Sequence, residues 1–235
     1  MKKGFILIFA VFTFGNCFCQ TANQYFESGK SKAEAKDFIN AISDYNKSID
    51  IDNKIGNLYF YRGVSKSNLN DYLAAIIDYT KAIELDPTDK ESFYNRGISK
   101  SDMNDHRGAI SDYNKVLQID PFYYKVYLNR GFSKSNLEDH RGAILDYNIA
   151  IQLDPYDYFA YLDRGVSKRN LLDYKGALDD YNKCIHLNPN NEDGFLNRGL
   201  LKMKLNKKNE ACLDLSKAGE LGSSKAYEII KYYCN

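Results

Sequence analysis

Apolar residues follow the spacing of amphipathic helices, and the whole pattern returns every 34 residues. Ala143, Ile144, Tyr147, Ala150 and Ile151, for example, make one face of a helix. Four columns keep the 34-residue step: Gly29, Gly63, Gly97, Gly131, Gly165 and Gly199; Ala41, Ala75, Ala109, Ala143, Ala177 and Ala211; Tyr45, Tyr79, Tyr113, Tyr147 and Tyr181; Pro87, Pro121, Pro155 and Pro189. The pattern predicts six stacked repeats, because a single helix pair cannot bury both of its faces.

Each repeat is predicted to hold two helices with defined ends. In the fourth repeat, Tyr127 and Gly131 lie on one face of the first helix. Asp139 precedes the second helix and is expected to cap its first turn. Asp154-Pro155 ends that helix, because proline cannot continue the hydrogen-bond pattern.

The glycine column lies inside a helix, where glycine costs about 0.5–1 kcal/mol relative to alanine. Six repetitions of this cost indicate a compensating contact. We expect Gly131 to let Ala143 and Ala150 of the second helix come close, with Tyr127 and Tyr147 filling the space around them.

These columns resemble the tetratricopeptide repeat. An aromatic residue, a small residue, alanine, a second aromatic, a second alanine and proline stand at the family's places, here Tyr127, Gly131, Ala143, Tyr147, Ala150 and Pro155. The resemblance implies an all-α, right-handed solenoid that serves as a protein-binding scaffold. The predicted boundaries are 22–55, 56–89, 90–123, 124–157, 158–191 and 192–222 for the six repeats, and 223–235 for a capping helix. The terminal repeats depart from the pattern at Asn53, Leu215 and Leu221-Gly222.

The first 19 residues have the layout of an export signal. Lys2 and Lys3 precede an apolar run, and Cys17 and Cys19 stand at small-residue places before a predicted cut at Gln20. The run is short for a membrane span. We expect a periplasmic or secreted protein that is not inserted in the membrane after cleavage. Two alternatives remain open, a lipoprotein modified at Cys17 and an uncleaved membrane anchor.

Composition narrows the function. Hydrophobic residues make up 44% of the chain and charged residues 27%, which is typical of a folded domain. The net charge of +1 does not favour nucleic-acid binding. Ser133 and Lys134 are adjacent, so on a helix they point about 100° apart and cannot act as nucleophile and base. We predict a monomer that is not an enzyme and has no cofactor.

Charged residues also follow the repeat. We predict bridges between Arg62, Arg96, Arg130, Arg164, Arg198 and Asp44, Asp78, Asp112, Asp146, Asp180, Asp214. A lysine column consists of Lys32, Lys66, Lys100, Lys134, Lys168 and Lys202. These lysines either pair with Asp37, Asp71, Asp105, Asp139 and Asp173, five residues later, or form a basic row for an acidic partner; the first alternative is favoured.

Three cysteines lie beyond the signal. Cys184 replaces an alanine of the packing pattern and is expected to be a buried thiol. Cys212 and Cys234 are predicted to form a disulfide that holds the capping helix, with two free thiols as the alternative. His106 and His140 occupy equivalent places in neighbouring repeats, and we interpret them as packing side chains rather than metal ligands.

The resemblance implies that the first helices line a concave groove. Its predicted members are Phe60, Tyr61, Val64, Tyr94, Asn95, Ile98, Leu128, Asn129, Phe132, Asn136, Leu162, Val166 and Asn197. Apolar side chains edged by amides suit an extended peptide or a helix of another protein, unless neighbouring repeats already bury this stripe. The lysine–asparagine clamp that some relatives use for chaperone C-terminal carboxylates is missing. The alternatives to a binding scaffold are a structural homo-oligomer and an accessory protein with a ligand or glycan site.

Overall fold

A computed structural model describes residues 21–234 of the 235-residue chain. Every regular element in this range is an α-helix, and none of these helices is both long and apolar enough to cross a membrane. The export signal predicted at 1–19 lies outside the described residues. The chain divides into two compact units, an N-terminal unit that ends at Pro121 and a C-terminal unit that begins at Phe122.

The N-terminal unit holds three helix pairs. They are α1 (described over 21–34) with α2 (Phe38–Ile51), α3 (Gly56–Asn68) with α4 (Tyr72–Leu85), and α5 (Lys90–Asp102) with α6 (His106–Ile119). Within each pair the sequence reverses direction in a three-residue turn.

The C-terminal unit holds three further pairs and a last helix. They are α7 (Tyr124–Asn136) with α8 (His140–Leu153), α9 (Tyr158–Asn170) with α10 (Tyr174–Leu187), α11 (Glu192–Lys204) with α12 (Lys208–Glu220), and α13 (Ser224–Tyr233). The all-α fold of repeated helix pairs is therefore confirmed, and α13 packs on α12 as a closing helix.

The turn inside each of the first five pairs has an aspartate cap, whereas Lys207 stands at this place in the sixth pair and makes no side-chain cap. Asp139 accepts a hydrogen bond from the Gly142 N–H at 2.9 Å, which confirms the predicted cap. The preceding residue, Glu138, has a φ of 64°, the left-handed conformation that often follows a helix end. The left-handed residues of the six pairs are Lys36, Asn70, Asn104, Glu138, Leu172 and Asn206.

The glycine column contacts the tyrosine column. A Cβ on Gly131 would lie 2.7 Å from Cε1 of Tyr147, and Tyr147 is buried. The same glycine–tyrosine contact occurs in the first five repeats, while Gly199 faces Leu215 in the sixth. The atoms closest to that Cβ position belong to Tyr147, so the absent side chain makes room for a flat aromatic ring.

The predicted arginine–aspartate bridges are confirmed in all five repeats that have the arginine. In the fifth, Arg164 Nε and Nη2 lie 2.9 and 2.6 Å from the two carboxylate oxygens of Asp180. The pairs are Arg62–Asp78, Arg96–Asp112, Arg130–Asp146, Arg164–Asp180 and Arg198–Asp214. Arg62, Arg96, Arg164 and Arg198 also donate to the second helix of the preceding repeat. These forks therefore hold the register between neighbouring repeats.

The predicted pairing of each lysine in the column with the aspartate five residues later was wrong. Lys168 Nζ lies 2.8 Å from the buried carboxylate of Asp180, twelve residues later, and not beside Asp173. Asp173 is occupied as the cap of α10, where it accepts from the Gly176 N–H. Lys32, Lys66, Lys100, Lys134 and Lys202 make the equivalent pair with Asp44, Asp78, Asp112, Asp146 and Asp214. The column consequently belongs to the ionic core and does not form a free basic row.

The last helix is fixed in two ways. Ala226 of α13 is fully buried against Leu215 and Ala218 of α12. The structure also joins Cys212 and Cys234 in a disulfide, with 5.7 Å between their α-carbons. The second contact links the beginning of α12 to the end of α13, as an antiparallel pair requires.

Candidate functional site

The first helix of each pair lines the inner face of its unit. In the N-terminal unit α3 contacts α5, and in the C-terminal unit α7 contacts α9 and α9 contacts α11. Second helices of neighbouring pairs do not approach one another as closely within either unit. The predicted groove residues lie on these first helices, and the two units are described separately.

Aromatic rings fill part of the N-terminal face. The Tyr61 ring centre lies 5.4 Å from that of Phe26 and 5.2 Å from that of Phe60, both edge-on. The buried Tyr45 lies beneath, 6.3 Å from Tyr61. Lys30 covers the cluster, with its ammonium 5.5 Å from the Phe26 ring and 5.9 Å from the Tyr61 ring. These side chains are half-buried because they pack on one another.

The remaining predicted residues of this unit are also half-buried, namely Val64, Tyr94, Asn95 and Ile98. The Tyr94 ring rests 6.2 Å from the core ring of Tyr113. Asn95 Nδ2 donates to the Glu91 carbonyl of its own helix at 2.8 Å. The accessible surface of this face consists of the edges of packed side chains and the side-chain oxygen Oδ1 of Asn95.

The C-terminal face is more open. Phe132 of α7 is 48% exposed and Phe159 of α9 is 52% exposed. Leu128, Asn129, Val166 and Asn197 are half-buried, and Asn136 is exposed at the end of α7. Leu162, by contrast, is only 6% exposed and belongs to a core cluster with Tyr161 and Leu201. The structure thus places Leu162 in the core, where it offers little surface to a partner.

On this face, Asn136 and Asn197 also use their side-chain amides for hydrogen bonds within the unit. Asn136 Nδ2 donates to the Phe132 carbonyl, and Asn197 Nδ2 to the Asp193 carbonyl, both at 2.9 Å. Asn197 Oδ1 accepts from Arg169 at 3.1 Å. The amides therefore stiffen their helices.

A cleft of about 240 Å³ lies between α7 and α9, lined by Leu128, Asn129, Phe132, Phe159 and Asp163. Asp163 is half-buried in it. Burial, together with the nearby Asp157 and Asp193 carboxylates, raises the pKa of Asp163 to about 7. The cleft thus combines aromatic walls with a carboxylate that is difficult to ionise.

Phe159 and Asp163 were missed as site residues, although the repeat contains a signal for both. At the place of Phe159 the other repeats have polar residues, Asn23, Asn57, Glu91, Lys125 and Asp193. At the place of Asp163 they have Glu27, Tyr61, Asn95, Asn129 and Asn197. The two departures are four residues apart on α9 and so share a helix face. Comparing the repeats column by column finds them.

Side chains with catalytic potential have structural contacts. Ser133 is fully buried, and Lys134 Nζ lies 2.7 Å from Asp146 Oδ2. Cys184 is buried, and burial raises the pKa of its thiol to about 12, so it does not ionise at neutral pH. Within residues 21–234, no three histidine, cysteine or acidic side chains come together as metal ligands. His106 packs in the core, with Nδ1 3.4 Å from Ser101 Oγ.

Comparison with known proteins identifies the repeat. Residues 56–89 and 90–123 match the family model described as tetratricopeptide repeat. The other four repeats share the same columns and helix pairs. No curated protein matches the chain.

Solved structures share the fold at low identity. The MamA protein is 22% identical, over 72% of this chain and 92% of that chain, with a TM-score of 0.68. YrrB, described as a TPR protein with an unusual peptide-binding site, is 21% identical over 80% and 97%, with a TM-score of 0.65. The Pseudomonas aeruginosa pilF protein is 16% identical over 91% and 98%, with a TM-score of 0.75. These likenesses show the fold alone.

Proposed function

We propose that this tetratricopeptide-repeat protein is an exported, non-enzymatic scaffold that binds a peptide or a helix of another protein on its first-helix faces. The observation that carries the proposal is the open surface of α7 and α9. There, Phe132 and Phe159 are each about half exposed beside a cleft. Large apolar side chains around a concave surface are typical of protein-binding sites.

The face also has the shape that a linear segment needs. Leu128, Phe132 and Val166 alternate with asparagines along neighbouring first helices. Apolar side chains of a bound segment would lie among the former, and its backbone would lie beside the latter. YrrB, with the same fold, is described as having a peptide-binding site. That description supports peptide binding here as a proposal.

Export is supported by the layout of residues 1–19 and by the disulfide between Cys212 and Cys234. Disulfides persist in oxidising compartments such as the periplasm and the cell exterior. N-terminal sequencing of the mature protein tests this part, and we expect it to begin at Gln20. A chain that retains the first 19 residues, or a lipid-modified Cys17, would contradict simple cleavage.

Photo-crosslinking in the native cells tests the binding face. A photoreactive phenylalanine replaces Phe132 in one variant and Leu145 in the other, because Leu145 is 64% exposed on the second helix α8 of the same repeat. We expect a crosslinked protein from the Phe132 position and none from Leu145.

Variants that place a negative charge at these two positions give a second test of the binding face. Phe132→Asp should abolish recovery of the crosslinked protein in pull-downs, and Leu145→Asp should not. Equal recovery with both variants, or equal crosslinking from both positions, would place the binding surface elsewhere.

A further inference from the structure

The cleft on the C-terminal unit contains a carboxylate that no basic group of the described chain neutralises. Asp163 lines it together with Phe132 and Phe159. Within residues 21–234, no side chain donates a hydrogen bond to Asp163, and no lysine, arginine or histidine forms an ion pair with it. Among residues 21–234, the charged groups that raise its pKa are the carboxylates of Asp157 and Asp193.

This situation differs from that of the buried aspartates in the ionic core. The buried aspartates of the ionic core each hold two cations, as Asp180 holds Arg164 and Lys168. An ionised group in apolar surroundings is costly unless it is paired. At the place of Asp163, repeats three, four and six have a neutral asparagine of nearly the same shape. The fifth repeat therefore carries an acid where an amide fits, at a cost to its own stability.

The walls of the cleft suit a cationic side chain. Phe132 and Phe159 are each about half exposed, and aromatic faces attract cations electrostatically. Leu128 adds an apolar wall that can cover a hydrocarbon stem. A lysine side chain matches this set, because four methylene groups precede one compact positive charge.

We infer that the cleft between α7 and α9 binds a lysine side chain of the partner protein, with its ammonium against Asp163 and its stem between Phe132 and Phe159. The inference rests on the proposed function, since it names the chemistry of a segment that binds this face. It assigns Asp163 a specificity role that the neutral residues at the equivalent place of repeats two, three, four and six cannot take.

Two short peptides test the inference on the full oxidised chain. Both are capped pentapeptides of alanine and serine, one with lysine and one with the neutral isostere norleucine at the centre. Titration is followed by NMR chemical shifts of the isotope-labelled protein. We expect the lysine peptide to bind at least about fivefold more tightly and to shift the signals of Phe132, Phe159 and Asp163.

Two matched variants locate the charge effect. Asp163→Asn should reduce lysine-peptide affinity to that of the norleucine peptide, and should leave norleucine-peptide affinity unchanged. Asp193→Asn removes an equal charge from an exposed residue that does not line the cleft, and should retain the preference for lysine. A preference that survives in Asp163→Asn, or that disappears equally in Asp193→Asn, overturns the inference.

The titrations with the two peptides also distinguish a failure of this inference from a failure of the proposed function. Equal affinity of the wild-type chain for both peptides overturns the lysine site while leaving a peptide-binding face intact. No binding of either peptide at millimolar concentration overturns the lysine site as well. The crosslinking experiment at Phe132 then judges the proposed function on its own.

Lysine-peptide binding should depend on pH through the same carboxylate. Protonation of Asp163, with its pKa near 7, removes the charge, so affinity should fall between about pH 8 and about pH 6. The titratable groups that interact electrostatically with Asp163 are Asp157, Asp193, Tyr147, Tyr181 and Cys184, and the charge of Arg169 acts on Tyr181. Burial raises the pKa of Tyr181 and of Cys184 to about 12, so both stay neutral in this range. An affinity for the lysine peptide that is constant over this range would contradict the inference.

Discussion

The inner faces of the two units differ although their helices repeat the same pattern. In the N-terminal unit, Tyr61 packs its ring between Phe26 and Phe60, and Lys30 covers the cluster. In the C-terminal unit, Asp163 stands at the place of Tyr61, and a cleft remains beside it. The N-terminal unit has a cleft of about 200 Å³ as well, but it lies at Asn23, Phe26 and Asn57, and Tyr61 does not line it. The residue at this place therefore contributes to how far the surface beside it is filled.

The comparison separates framework from function. The Gly–Tyr contact and the Arg–Asp fork are the same in both units. Variation is concentrated on the first-helix face, where a large ring closes the surface and a short carboxylate leaves it open. Such a face can change its ligand chemistry while the stacking of repeats stays constant.

The largest expected effect concerns the end of the C-terminal unit, which alone among the described parts is closed covalently. Cys212→Ser combined with Cys234→Ser should lower the free energy of unfolding by about 3 kcal/mol, because the unfolded chain regains the freedom of the closed loop. Urea unfolding measures the loss. Intact mass with and without reductant should differ by two hydrogen atoms, and identical masses would mean that the thiols are free.

Tyr61→Ala tests whether the N-terminal face is held closed by its rings. We expect a loss of about 2 kcal/mol in the free energy of unfolding, because the variant removes contacts with Phe26 and Phe60 and leaves a hole. Asn95→Ala changes the equivalent place on α5 and should cost under about 1 kcal/mol. Equal losses in urea unfolding would show that Tyr61 is not a packing residue.

Glycine variants test whether the framework is the same in both units. Gly97→Ala and Gly131→Ala should each cost about 1–2 kcal/mol, because the new Cβ would lie 2.6 and 2.7 Å from a tyrosine ring. Gly199→Ala should cost less, because its Cβ would lie 3.0 Å from Leu215 and 3.2 Å from the Ala211 carbonyl oxygen, and alanine favours the helix by about 0.5–1 kcal/mol. Thermal unfolding of the three variants measures the difference, and a Gly199→Ala loss as large as the others would contradict it.

The smallest expected effect is the stability that Asp163 costs. Its folded pKa of about 7 lies above the ordinary value of 3.8, so the folded chain holds a proton that the unfolded chain releases. The free energy of unfolding therefore falls as the pH rises from about 3.8 to about 7. The full shift would correspond to about 4 kcal/mol, but Asp163 is only half-buried and water screens its charge, so Asp163→Asn should be more stable by about 1 kcal/mol near pH 8, and the gain should shrink toward about pH 5.

The control for this effect is Asp193→Asn, which removes a neighbouring exposed carboxylate. In this variant the free energy of unfolding should still fall as the pH rises. Urea unfolding at several pH values compares the three chains. A gain from Asp163→Asn that is independent of pH would show that its carboxyl is not the titrating group.

Much of the framework could be predicted from the sequence because its contacts are local and repeated. The Asp139 cap and the Arg–Asp forks followed from residue types that recur at fixed distances. The partner of Lys168 could not be chosen that way. Asp173 is closer along the chain, but it is used as a helix cap, and the antiparallel pairing of α9 with α10 brings Asp180 to the lysine instead.

The predicted groove and the cleft of the structure share some residues and differ in others. Phe132 was selected by its place in the repeat, whereas Phe159 lies at a place that is polar in the other repeats. Leu162 shares a helix with Phe159, yet it is almost fully buried. Periodicity assigns a residue to a face of a helix, but exposure depends on the volume of side chains from neighbouring helices.

By itself the sequence determined the number of repeats, the two helices in each, and the residues that cap and stack them, because these depend on spacing within about 34 residues. Only the tertiary structure decided which residues of the inner face remain accessible and which charges are paired. Both depend on distances between side chains of different helices. The closed ring cluster around Tyr61 and the open carboxylate of Asp163 stand at the same place in the repeat, and packing makes them different.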